Sequence, residues 1–170
     1  SEKLPDGVYR LGDVPAAQGG ANAVLAWLMG GYSFDRYKKK AARQTKLGAR
    51  LVLPKGVDGE EAGRIAQALF LGRDLVNTPA NDMGPAELEK AARILAKTHG
   101  AKVSVISGAA LARGYPLIAA VGQGSPRAPR LIDLTWGRPK APRVTLVGKG
   151  VCFDTGGLDL KPSAAMLTMK

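Results

Sequence analysis

The stretch Val147-Gly148-Lys149-Gly150-Val151-Cys152-Phe153-Asp154-Thr155-Gly156-Gly157-Leu158-Asp159-Leu160-Lys161-Pro162 sets four glycines among two lysines and two aspartates. It follows the apolar run "RVTLV" from Arg143, which reads as a strand that runs into glycines. In open α/β sheets, ligand sites gather where loops leave the carboxyl ends of strands, so this position favours chemistry. Two nucleotide-binding patterns are excluded. A G-x-G-x-x-G fingerprint fails because Phe153 stands where the third glycine belongs, and no G-x-x-x-x-G-K-[S/T] occurs. Phosphate binding by the backbone N–H groups of Gly156-Gly157 stays open, although glycine pairs more often mark plain turns.

Upstream of this stretch the pattern is that of an α/β chain. The runs "KVSVI" from Lys102, "PLIAAVG" from Pro116, "RLIDLTW" from Arg130 and "RVTLVG" from Arg143 are short, β-branched and bounded by Gly or Pro, which predicts four strands. A short helix is expected over Ser107 to Arg113. Before the first strand, Pro85 at a helix start, the stripe Leu88, Ala91, Ala92, Leu95 and the stop at Gly100 predict a well-bounded helix. Asp58 and Glu61 have the spacing of a capping box, and the helix they open carries Ile65, Leu69, Gly72 and Val76 on one face beside Ala62 and Ala66. "NTPAND" from Asn77 ends it. A strand is expected over Ala49 to Leu53 and a helix from Gly20 towards Tyr37, weakened by Gly30-Gly31, whereas Ser1 to about Gln18 reads as loop.

The 170 residues, 45% hydrophobic and 23% charged, suit one or two folded domains rather than a disordered or fibrous chain. The longest apolar run, Ala23 to Met29, is far short of the roughly 20 residues that span a bilayer, so no membrane association and a cytoplasmic location are expected. One cysteine, Cys152, fits a reducing compartment. The charge is less ordinary: 25 Lys plus Arg against 14 Asp plus Glu gives +11. A nucleic-acid partner is therefore an alternative reading, but the basic residues are dispersed apart from Lys38-Lys39-Lys40, which reads as a solvated face, and only two Trp, four Tyr and three Phe could stack on bases.

Among chemistry-bearing residues, the single histidine, His99, sits just before Gly100 and suits a helix C-terminus better than a catalytic base. Cys152 lies between Val151 and Phe153 and reads as a small apolar side chain rather than a nucleophile. One histidine excludes a histidine-rich metal site. Lys149, Asp154 and Lys161 remain, either as a site or as ordinary polar residues near turns.

The run "VGKGVCFDTGGLDLKPSAAMLTMK" closely resembles the start of the catalytic segment of the leucyl aminopeptidase family, the cytosolic two-metal aminopeptidases of peptidase family M17. "GRDLVNTPANDMGPAELEKAA" from Gly72 looks like the opening of that catalytic domain. "VGQGSPRAPRLIDLTW" from Val121 is similar to the segment before the metal-site strand, and "GYSFDRYKKK" from Gly31 resembles the end of the N-terminal domain. The resemblance implies that residues 1–56 form the C-terminal part of an N-terminal α/β domain. Residues 57–170 would then be a linker helix and the first part of an α/β catalytic domain with a central mixed sheet.

It also implies roles. Lys149 and Asp154 would be metal ligands, Asp154 bridging two divalent ions, zinc or manganese. Lys161 would be the catalytic lysine that polarises the scissile carbonyl and binds substrate, and Met169 would line the pocket for the substrate's N-terminal side chain. An ammonium has no lone pair, so Lys149 must give up its proton to ligate, and adjacent divalent cations favour that loss. Paired metals orient and deprotonate a water for attack on a peptide carbonyl. A cationic Lys161 acts where negative charge builds. The substrate is thus a peptide with a free amine, and the family implies a homo-hexamer. Cys152 stands where the family often has Thr, and Asp159 where it often has Ser. Three of the family's five metal ligands, in positions after Lys170, are not in this sequence, so the chain is expected to be a fragment with little or no turnover alone, and a non-catalytic relative of the family is an alternative that turns on residues outside the sequence.

Overall fold

A computed structural model describes residues 4–12, 19–39, 48–152 and 164. By its internal contacts the chain divides into two units, Ser1–Asn77 and Thr78–Lys170. The mixture of helices with two small sheets is the α/β class expected.

In the first unit, β1 (Gly7–Tyr9) pairs in parallel with β2 (Ala49–Leu51), in the register Gly7 to Ala49 and Tyr9 to Leu51. The segment expected to be loop thus contributes a strand. Three residues carry no legible period, and the partner that turns them into a ladder lies 42 positions away. The helix expected from Gly20 is α1 (Gly20–Met29), and it ends where Gly30-Gly31 weaken it. Next comes α2 (Gly59–Asn77), opened by Asp58, whose Oδ1 accepts from the N–H groups of Glu60 at 2.9 Å and Glu61 at 3.0 Å. Those bonds hold the Asp58 carboxyl below its ordinary range, the one from Glu61 contributing most. α1 packs on α2. Val24, Ala62 and Ala66 are buried, whereas Ile65, Leu69 and Val76 of the expected apolar face stay exposed. Lys38 and Lys39 are exposed as a solvated run should be, and Lys38 pairs with Asp35 at 2.6 Å.

The second unit begins with α3 (Pro85–His99). The Gly84 N–H donates to Glu87 Oε2 at 2.9 Å and closes its start. Gly100, at φ 66°, closes its end, and the Ala101 N–H returns to the Ala96 carbonyl. His99 is its last residue, as expected. β3 (Lys102–Ser107) and β4 (Arg130–Thr135) form an antiparallel pair, Lys102 opposite Thr135 and Ser107 opposite Arg130. α4 (Gly108–Gly114) follows β3 directly. Leu111 of α4, 1% exposed, is the most buried large side chain among the described residues.

Two of the four expected strands are not strands. "PLIAAVG" forms α5 (Pro116–Val121) and a 3₁₀ turn over Gly122–Gly124. Pro116 stands in the first helical turn, where its missing N–H costs nothing, and the run is uniformly apolar with no alternation to hold it in a sheet. "RVTLVG" forms no ladder among the described residues. Val144, Leu146 and Val147 are 86%, 93% and 94% exposed. β propensity prepares a backbone for pairing, but a strand exists only where a neighbour supplies the hydrogen bonds.

Candidate active site

The loop preceding α3 is held by arginines from the loop preceding β4. Arg127 donates through Nη1 to the Ala80 carbonyl and through Nη2 to that of Asn81 at 2.6 Å. Three residues on, Arg130 Nη1 meets Glu89 Oε2, while Arg93 Nε meets Glu89 Oε1 at 2.7 Å. Glu89 is held below the usual carboxylate range, first by Arg93 and then by Arg130. Glu87 is also lowered, chiefly by its own backbone N–H and that of Gly84. At the other end of α3, the Trp136 indole N–H donates to the His99 carbonyl at 3.0 Å. Helix and strand pair are therefore tied together at both ends.

The glycine-flanked lysine runs past this assembly. Lys149 is exposed, outside any helix or strand, with no carboxylate paired to it among the described residues. The glycines on either side differ. A Cβ at Gly148 would meet nothing within 4 Å, whereas one at Gly150 would lie 2.7 Å from Leu88 Cδ2. Gly150 is thus seated against α3. Two residues on, the Cys152 Sγ lies 4.0 Å from the Gly150 carbonyl, a weak local contact in keeping with a packing role.

Asp154, Lys161, Met169 and the Gly156-Gly157 pair lie outside the described residues. Among those described, no three His, Cys, Asp or Glu side chains converge as a metal site. The amine of Lys149, with no carboxylate partner among the described residues, and a carboxylate five positions on in sequence at Asp154 are nitrogen and oxygen groups of the types that would suit zinc or manganese. A cavity of about 460 Å³, bordered by Leu111, Ala119, Gln123 and Pro129, lies on α4, α5 and the turn after them, and Lys149 is not part of its lining. The ties through Glu89, Arg127 and Leu88 had no local signal: each joins residues at least 41 positions apart, apart from the i, i+4 spacing of Glu89 and Arg93.

A capped helix on an antiparallel strand pair, followed by a glycine-flanked lysine, places this unit in the α/β class. The particular family follows from comparison: the cytosol aminopeptidase family, catalytic domain, matches residues 70–170, and this chain belongs to that family. The family is one of metal-dependent aminopeptidases. The chain is 39% identical over 166 residues to a probable cytosol aminopeptidase of Chelativorans sp. (strain BNC1), covering 91% of this chain and 33% of that protein. Among solved structures it is similar to the cytosol aminopeptidase of Coxiella burnetii, at TM-score 0.85 and 44% identity over 99% of this chain and 36% of that one. It is also similar to the bottromycin maturation enzyme BotP in complex with Mn, at TM-score 0.71 and 35% identity over 92% of this chain and 35% of that one. The chain spans about a third of the length of these relatives. No helix among the described residues is long and apolar enough to cross a membrane.

Proposed function

We propose that this chain supplies the first part of the active site of a two-metal aminopeptidase that removes N-terminal residues from peptides. The observation that carries the reading is the family match across residues 70–170, which includes the Lys149, Asp154 and Lys161 pattern. In it, residues 1–56 end an N-terminal domain and residues 57–170 contain a linker helix and the start of the catalytic domain. The full-length form is a cytoplasmic homo-hexamer, and the ions are zinc or manganese, the latter in keeping with the Mn complex of BotP.

When bound, the pair of ions activates a water for attack on the scissile carbonyl. Lys149 would serve as a neutral amine ligand, which its exposure and its lack of a carboxylate partner among the described residues leave it able to do. Asp154 would help to hold the ions through its carboxylate, whose negative charge would lower their mutual repulsion. Lys161 keeps its charge and stabilises the oxygen that becomes negative. Met169 lines the pocket that receives the substrate's first side chain. Two ligands do not hold two ions in register, so the isolated chain has little or no turnover.

The test is a chimera in which this chain replaces the matching third of the Coxiella burnetii enzyme, assayed on leucine p-nitroanilide with Mn²⁺. Turnover by the chimera, lost on Lys149→Ala or Asp154→Ala and absent from the isolated chain, supports the reading. Full activity in the Lys149→Ala chimera overturns it.

One observation favours a second role. From Lys90 to Cys152, Asp133 is the only acidic residue among many lysines and arginines, a balance suited to phosphate contacts. A gel shift at low salt that shows no complex at micromolar protein rules that role out.

A further inference from the structure

We infer that Leu88 is a positioning residue for Lys149, acting through Gly150; the inference rests on the metal-ligand role proposed above. Three successive residues of α3 do three different jobs. Glu87 closes the helix start on the Gly84 N–H, Glu89 receives Arg130 at the start of β4, and Leu88 between them receives Gly150. The helix that fixes β4 therefore also fixes the backbone immediately after Lys149.

Of the two glycines flanking Lys149, only the second has a side chain lying against it among the described residues. A Cβ on Gly150 would sit 2.7 Å from Leu88 Cδ2, closer than carbon atoms approach, whereas one on Gly148 would meet open space. The absent side chain lets the backbone settle on the leucine methyl. That seat ties the lysine segment to α3, whereas the run from Val144 to Val147 is almost fully exposed and forms no ladder among the described residues. A ligand on a long flexible side chain is useful only if its Cα is held, since each unfixed backbone residue adds conformational entropy that binding must remove. The Leu88–Gly150 contact holds that Cα from one residue away.

The contact predicts a pattern of compensation. Gly150→Ala makes the Leu88 methyl end or the backbone give way, and Leu88→Ala removes the seat, so each alone loosens the contact that holds Lys149. In the double variant the added methyl occupies space that the truncated leucine vacates, and the seat is partly restored. Coupling of this sign belongs to groups in direct contact.

The experiment uses this 170-residue chain, labelled at leucine methyls and backbone amides, with Mn²⁺ alone as the probe and paramagnetic broadening as the readout. In the wild type, sub-stoichiometric Mn²⁺ broadens the Lys149 and Gly150 amides and the Leu88 methyls together. Each single variant, with the α3 and β4 amides still dispersed as in the wild type, shows broadening at Lys149 reduced about threefold or more, and the double variant recovers much of it. A loss of fold alone would not produce that recovery. Broadening at Lys149 that is the same in all four proteins overturns the positioning role and leaves the metal reading standing. Absence of broadening at Lys149 in the wild type, while the Leu88 methyl still shows an Overhauser contact to Gly150, overturns the positioning role in this chain, and the Lys149→Ala chimera decides the metal reading separately.

Discussion

Arg130 and Glu89, 41 positions apart, meet through Nη1 and Oε2 with both side chains about four-fifths buried, and this pair joins β4 to α3. Glu89 also accepts from Arg93, one turn further along the helix, so a single carboxylate serves two guanidinium groups. Replacing Arg130 by Ala removes the long-range tie and leaves the local one. The expected result is a lower melting temperature and faster amide exchange over residues 130–135, with α3 still helical. Arg130→Lys should recover little, because Arg130 Nη2 also reaches the Ala128 carbonyl and an ammonium cannot make both contacts in a fixed fork.

Acid should loosen the chain. Glu87, Glu89 and Asp58 are all held below their ordinary range by N–H and guanidinium donors. For a carboxyl whose folded value is depressed, the unfolded chain takes up protons first as pH falls. The stabilisation is therefore complete above the unfolded values, about 4, and is lost progressively below them. Melts at pH 7, 5 and 3 should show a small change over the first interval and a large one over the second. In Glu87→Gln the second drop should be smaller; an unchanged drop contradicts the assignment.

Two substitutions calibrate the second unit. Leu111→Ala, at a side chain 1% exposed, should cost about 2–5 kcal/mol by urea unfolding. Gly100→Ala places a Cβ in left-handed backbone at φ 66° with no steric neighbour, so its cost is conformational and should be about 1 kcal/mol.

The bare segment Val144 to Val147 is a template for unwanted pairing. Leu146, 93% exposed, has almost no contact to lose, so Leu146→Lys should change stability by less than about 0.5 kcal/mol. It should also reduce self-association in sedimentation experiments, because a charge on an unpaired strand opposes edge-to-edge contact. A variant that associates as strongly as the wild type contradicts this.

In the Coxiella burnetii chimera, Lys149→Arg should be as damaging as Lys149→Ala. A guanidinium keeps its proton and offers no lone pair, so conserving charge does not conserve ligation. Loss of kcat by about 100-fold or more in both is the expected outcome. Activity removed by EDTA and restored by Mn²⁺ in the unsubstituted chimera is the matching control.

Sequence alone determined what depends on short-range chemistry. Asp58 and Glu87 opened their helices, Gly30-Gly31 and Gly100 ended theirs, His99 fell at a helix C-terminus, and Lys149 to Lys161 carried the family pattern, because each signal lies within a few residues of its effect. Tertiary structure decided what needs a distant partner. Gly7–Tyr9 became a strand only beside Ala49–Leu51, and "RVTLV" joined no ladder among the described residues. "PLIAAV" coiled because an apolar run of six residues suits helix or buried strand equally until its surroundings choose. The seat of Gly150 on Leu88 and the grip of Arg130 on Glu89 belong to the same class: hydrogen bonds and steric fit act over a few ångströms, and only folding brings such residues that close.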